Sequence, residues 1–111
     1  MSQSAQEPPR AYQAFVKRYP KLGRAWELAA EVGEDGPLDE KSVRLVKLAI
    51  AIGALREGAV HSSVRKAVSA GVSPQAIEQV VGLAATTLGF PSAVAVYCWV
   101  QDVTGNSGGQ E

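Results

Sequence analysis

The sequence predicts an all-α domain, and three observations predict it. Apolar residues recur at three- and four-residue offsets, as in Val60, Val64, Ala67, Val68 and Gly71, which form one stripe on a helix. Proline and glycine punctuate these stretches where helices begin and end, with Pro9, Pro20, Pro74 and Pro91 ahead and Gly33, Gly71 and Gly89 behind. No stretch alternates apolar and polar residues between hairpin-type turns. At 111 residues and 46% hydrophobic content, the chain suits one compact helical domain with a single core.

Residues 1–8 are polar and proline-ended and are expected to form a flexible arm; the helical domain then runs over 9–104. Pro9 opens a first helix with Tyr12, Phe15, Val16 and Tyr19 on one face. Pro20 opens a second, carrying Leu22, Ala25, Trp26, Leu28, Ala29 and Val32 up to the stop at Gly33. Glu34-Asp35-Gly36-Pro37 reads as a turn. Asp39 is a suitable N-cap for the third helix, and Glu40 suits its first turn. Between Lys47 and Arg56 this segment has no polar side chain, so it is expected to be buried on nearly all sides.

Arg56 to Gly71 forms the fourth helix, and Gly71 can take the left-handed cap without strain. Ser73 and Pro74 restart the chain as N-cap and first helical residue of the fifth, which carries Ile77, Val80, Val81, Ala84, Ala85 and Leu88 to Gly89. Pro91 opens the last helix, Ser92 to about Val103, and residues 105–111 read as a disordered, glycine-rich tail. The third and fifth helices are expected to be the most buried. Their apolar surface exceeds what one small core absorbs, which points to a homo-oligomer, a trimer or hexamer, with 49–55 and 77–88 at its interface.

Eleven basic residues balance eleven acidic ones, so no general field attracts nucleic acid or an anionic membrane. The single cysteine excludes an intrachain disulfide and a Cys-x-x-Cys redox or zinc site. No apolar run approaches a membrane span or a signal core, so a cytoplasmic protein is expected. The sequence gives no sign of a metal site or of a cofactor.

The chemistry centres on the fourth helix, which holds the one histidine. Glu57, His61 and Arg65 are spaced by four and form a polar row beside the apolar stripe. His61 is the acid–base candidate because imidazole titrates near neutrality. Glu57 could orient it, and Arg65 could fix an anion. The plainer alternative is an exposed row of i,i+4 pairs worth a few tenths of a kcal/mol each.

The run from Leu38-Asp-Glu-Lys through Arg44-Leu-Val-Lys-Leu-Ala-Ile-Ala-Ile, His61, Arg65-Lys-Ala-Val-Ser-Ala-Gly-Val-Ser-Pro-Gln-Ala-Ile-Glu and Gly89-Phe-Pro-Ser-Ala resembles the carboxymuconolactone decarboxylase superfamily. That superfamily includes the alkyl hydroperoxidase D (AhpD)-like, peroxiredoxin-related proteins. The likeness covers about Leu38 to Asp102 and implies an all-helical domain, assembled as trimers or hexamers, with its site near a subunit boundary. Carried onto this chain, the glutamate of the peroxidase branch falls at Arg44, its two cysteines at Arg56 and Ala59, and its histidine at Ser63. The histidine of the decarboxylase branch also falls at Ser63. His61 lies two residues earlier, about 200° around a helix. The resemblance therefore implies a divergent member without thiol peroxidase chemistry, which needs a nucleophilic thiolate and a resolving thiol. Cys98, between Tyr97 and Trp99, is expected to be a buried apolar side chain.

Arg44 and Arg56 would bring two guanidinium groups to the pocket of the relatives, and each asks for a carboxylate. That partner is either a protein side chain such as Glu40, Glu57 or Glu78, or a small-molecule carboxylate. The candidate site is thus His61 and Glu57 as catalytic groups, with Arg44, Arg56, Ser63 and Arg65 as substrate-binding groups. Three functions fit: a cofactor-free lyase or isomerase acting on a small carboxylate or lactone, an AhpD-like antioxidant protein that has lost its redox cysteines, or a non-catalytic oligomeric module binding a metabolite or protein.

Overall fold

A computed structural model describes residues 10–105, and six helices with no strand make up those residues. The arm at 1–8, Pro9 and the tail from 106 lie outside the described residues. The helices are α1 (Arg10–Arg18), α2 (Pro20–Val32), α3 (Glu40–Gly53), α4 (Glu57–Ser69), α5 (Pro74–Leu88) and α6 (Phe90–Thr104). The all-α expectation holds, and element order follows the proline and glycine punctuation. The chain divides into two compact units, residues 1–38 and 39–111.

In the first unit α1 and α2 form a hairpin with only Tyr19 between them. Tyr19 N–H donates to the Phe15 carbonyl at 2.8 Å, and the two rings lie 5.1 Å apart. Gly23 of α2 is buried against Val16 of α1, so closely that a Cβ there would lie 3.0 Å from the Val16 Cβ. The helices can approach there because Gly23 has no side chain.

The second unit contains the core. Asp39 caps α3 as expected, its Oδ1 accepting from the Ser42 N–H at 2.8 Å. Ser42, through its side chain first and its backbone N–H second, holds the Asp39 carboxyl below the usual range. Ser73 caps α5 in the same way, accepting from Ala76 N–H at 3.1 Å, with Pro74 in the first turn. Gly89 ends α5 and precedes α6 at φ 94° and ψ 161°, a conformation open only to glycine. α3 packs on α4 and α5, and α6 packs on α4 and α5. Leu48 and Ile52 from α3, Val60 and Val64 from α4, Ile77 from α5, and Val96 and Val100 from α6 meet with almost no exposure. Burying each such side chain contributes about 1.5–3 kcal/mol.

Three expectations change. Burial is not concentrated in the third and fifth helices: α3, α4 and α6 each bury three residues, whereas α5 buries only Ile77 and Val81. A helix that is apolar all round still has only one inner face within a chain, and Ile50 and Leu83 remain more than 60% exposed. On α4 the inner face is Val60, Val64 and Ala67, while Val68, about 80° from Val60 at 100° per residue, is half exposed. Cys98 is exposed rather than buried. Val96 and Val100, one turn apart, set the inner face of α6, and Cys98 lies about 200° from Val96.

Candidate functional site

The site is built where α4 meets α6. Val60 and Val64 anchor α4 in the core, which leaves His61 on the flank with its side chain 26% exposed. Val100 similarly anchors the last turns of α6, beside Asp102. His61 Nε2 and Asp102 Oδ2 are 2.9 Å apart, a hydrogen bond across 41 residues of sequence. Glu57, one turn before His61, brings Oε2 to 3.9 Å from the same nitrogen. An ionised carboxylate only accepts, so His61 donates from Nε2 to Asp102 and keeps the Nδ1 lone pair as its basic position.

The structure brings His61 and Glu57 together and adds Asp102, which the sequence reading omitted. A signal for Asp102 was available. It is the one charged residue of α6 and stands in its last turn, where the helix dipole disfavours negative charge unless a donor compensates. Nothing local indicates that the donor is His61.

The remaining candidates lie elsewhere on α3 and α4. Arg44 is half-buried on α3, and Ser63 and Arg65 are half-buried on α4. Arg44, Lys47 and Arg65 all act on Lys66, an exposed residue whose ammonium is pushed below the ordinary lysine value by partial desolvation first and then by these three cations. Arg56 is exposed and is the N-cap of α4, at φ −108° and ψ 108°. A helical wheel would place it near the inner face, but an N-cap residue is extended and the wheel does not apply to it. Among the described residues, neither Arg44 nor Arg56 pairs with an acidic side chain.

The sequence model of the carboxymuconolactone decarboxylase family matches residues 20–102. The chain belongs to this family. The match runs from α2 to the Asp102 end of α6 and so includes every residue of the His61 cluster. No curated protein and no solved structure gives a match. No helix among the described residues is long and apolar enough to cross a membrane.

Proposed function

We propose that this member of the carboxymuconolactone decarboxylase family is a proton-transfer enzyme acting on a small carboxylate or lactone. The observation that supports this reading is the hydrogen bond between His61 Nε2 and Asp102 Oδ2. It fixes one tautomer and one ring orientation, as an acid–base histidine requires. Glu57, on the same side of the ring, adds a second negative charge near Nε2. Nδ1 is then the atom that takes or delivers a substrate proton. In a decarboxylation, Nδ1 first takes a proton from the substrate or from water; the bond to the carboxylate carbon then breaks, carbon dioxide leaves, and the electron pair left on carbon takes that proton from Nδ1.

In this reading the substrate carboxylate is held by a cation of α3 or α4, with Arg44 and Arg56 as the candidates and Ser63 and Arg65 as further binding groups. Support comes from the lack of an acidic protein partner for Arg44 and Arg56 among the described residues. A charge-assisted hydrogen bond contributes about 1.5–3 kcal/mol, so two of them suit a ligand bound in roughly the millimolar to tens-of-micromolar range.

The test follows γ-lactone carboxylates and keto acids by proton NMR in deuterated buffer, measuring carbon dioxide loss and deuterium incorporation. Wild type is expected to catalyse one or both, and His61→Ala to lose about 10²- to 10⁴-fold. Asp102→Asn should lower kcat, whereas Arg44→Ala and Arg56→Ala should raise KM. No exchange or turnover in wild type, or full activity in His61→Ala, would overturn the reading.

A further inference from the structure

We propose that Glu57, His61 and Asp102 form a binding site for one divalent transition-metal ion of the zinc type. The three side chains each offer one ligand atom, and those atoms all lie within 4.8 Å of one another. His61 Nε2 is 2.9 Å from Asp102 Oδ2 and 3.9 Å from Glu57 Oε2. Tetrahedral zinc with bonds of about 2.0–2.1 Å sets neighbouring ligand atoms about 3.3 Å apart. The two separations lie on either side of that value, so small rotations of the exposed carboxylates bring all three atoms to a common centre.

The framework suits the task. Glu57 and His61 are one turn apart on α4, so one helix presents two ligands on one edge. Asp102 comes from α6, which packs on α4 through the buried Val60, Val64, Val96 and Val100. The ligand positions are therefore fixed by core packing and not by a loop. The carboxylate side chains are 57% and 54% exposed, which leaves an open path for the ion and room for water at the fourth position. An imidazole between two carboxylates suits zinc or cobalt, whereas magnesium and calcium take oxygen ligands.

The site shares His61 with the proton-transfer reading and adds a control to it. Metal on Nε2 takes the place of the proton shared with Asp102, which moves to Nδ1, and because a protonated imidazolium has no lone pair for the metal, binding weakens as pH falls. A neutral imidazole bound through Nε2 carries its hydrogen on Nδ1, which removes the basic lone pair. Metal occupancy would then switch off proton transfer.

The two readings fail separately, because metal binding is measured without substrate and proton transfer is measured on chelator-treated protein. Tag-free protein is titrated with zinc by calorimetry, and with cobalt by following the visible absorption of the tetrahedral ion. One equivalent per chain is expected, together with a rise in Tm on zinc addition. His61→Ala, Asp102→Asn and Glu57→Gln should each weaken binding by about tenfold or more, a change of about 1.4 kcal/mol or more. Glu57→Gln and Asp102→Asn alter exposed groups, and circular dichroism checks that each variant keeps its fold. No binding to wild type would overturn the proposal. Equal affinity in wild type and in folded Asp102→Asn and Glu57→Gln would overturn it too.

Discussion

Leu55 and Gly71 occupy the same position after successive helices: each is the left-handed residue that follows a C-cap. Leu55 has φ 53° and Gly71 has φ 89°. After α3, Leu55 N–H donates to the Ile52 carbonyl at 2.9 Å and Arg56 N–H to the Ala51 carbonyl at 3.4 Å. After α4, Gly71 N–H donates to Val68 and Val72 N–H to Ala67, both at 3.0 Å. These are the paired bonds of a Schellman cap, made once around glycine and once around leucine. A left-handed side-chain residue costs roughly 1–2 kcal/mol, and glycine avoids that cost.

Leu55→Gly is therefore expected to stabilise the protein by about 1 kcal/mol, less whatever apolar contact the half-exposed side chain makes. Gly71→Ala should destabilise it by about 1–2 kcal/mol through the backbone alone. A Cβ at Gly71 would come no nearer than 3.4 Å to Lys41, an ordinary contact. Urea unfolding of both variants checks the pair. Opposite signs are expected; a loss of stability in Leu55→Gly would show that its side chain outweighs the backbone strain.

The same pair shows what could be read in the sequence. Gly71, Gly89, Asp39, Ser73 and Pro74 each state a helix end in their own chemistry, and all are found in those roles. Leu55 states nothing of the kind: the apolar stretch runs on to Arg56 without a stop and the periodicity takes Arg56 into the fourth helix, whereas α3 ends at Gly53 and Arg56 is the N-cap of α4. The candidate site divides in the same way. Glu57 and His61 are one turn apart, and local periodicity joins them. Asp102 reaches His61 only because α6 packs back onto α4, a relation set by tertiary packing that no spacing rule states. Ile50 and Leu83 fit neither group, because an all-apolar helix does not show which of its faces turns inward.

Lys66 gives a pH prediction. Lys66 is exposed by surface area, but partial desolvation first and its neighbours Arg44, Lys47 and Arg65 second lower its pKa, so folding disfavours its charged form by a small, solvent-screened amount. Between the folded pKa and the unfolded value near 10.4, the unfolded chain binds more protons, and stability rises with pH across that window. Below it the penalty is present in full. Lys66→Met is expected to raise Tm modestly at pH 7, with the gap closing as pH approaches the unfolded value. Salt screens the three cations, so added sodium chloride should raise the Tm of wild type more than that of the variant. Equal salt responses would show that the neighbouring cations do not act on Lys66.

The last prediction concerns assembly. Within residues 39–111, Ile50 is 63% exposed, Leu83 62% and Phe90 76%, and Val46, Val94 and Tyr97 are also about half exposed. Single exposed apolar residues are ordinary, but several large ones from α3, α5 and α6 on a unit this small are what subunit contacts cover. The expected partner is a second copy of the chain: Ile50 and Leu83 lie in the two stretches the sequence assigns to an interface, and α6 adds Phe90, Val94 and Tyr97 to the exposed apolar surface. Light scattering is expected to give a trimer-based mass, a multiple of 11.7 kDa, at micromolar concentration. Burying one such side chain contributes about 1.5–3 kcal/mol, and a closed ring repeats each contact around its symmetry axis. Ile50→Glu or Leu83→Glu should therefore shift the mass to that of a monomer while the helical circular dichroism signal persists, since neither residue belongs to the buried core. A monomeric mass for wild type would leave these faces as plain solvent-exposed surface.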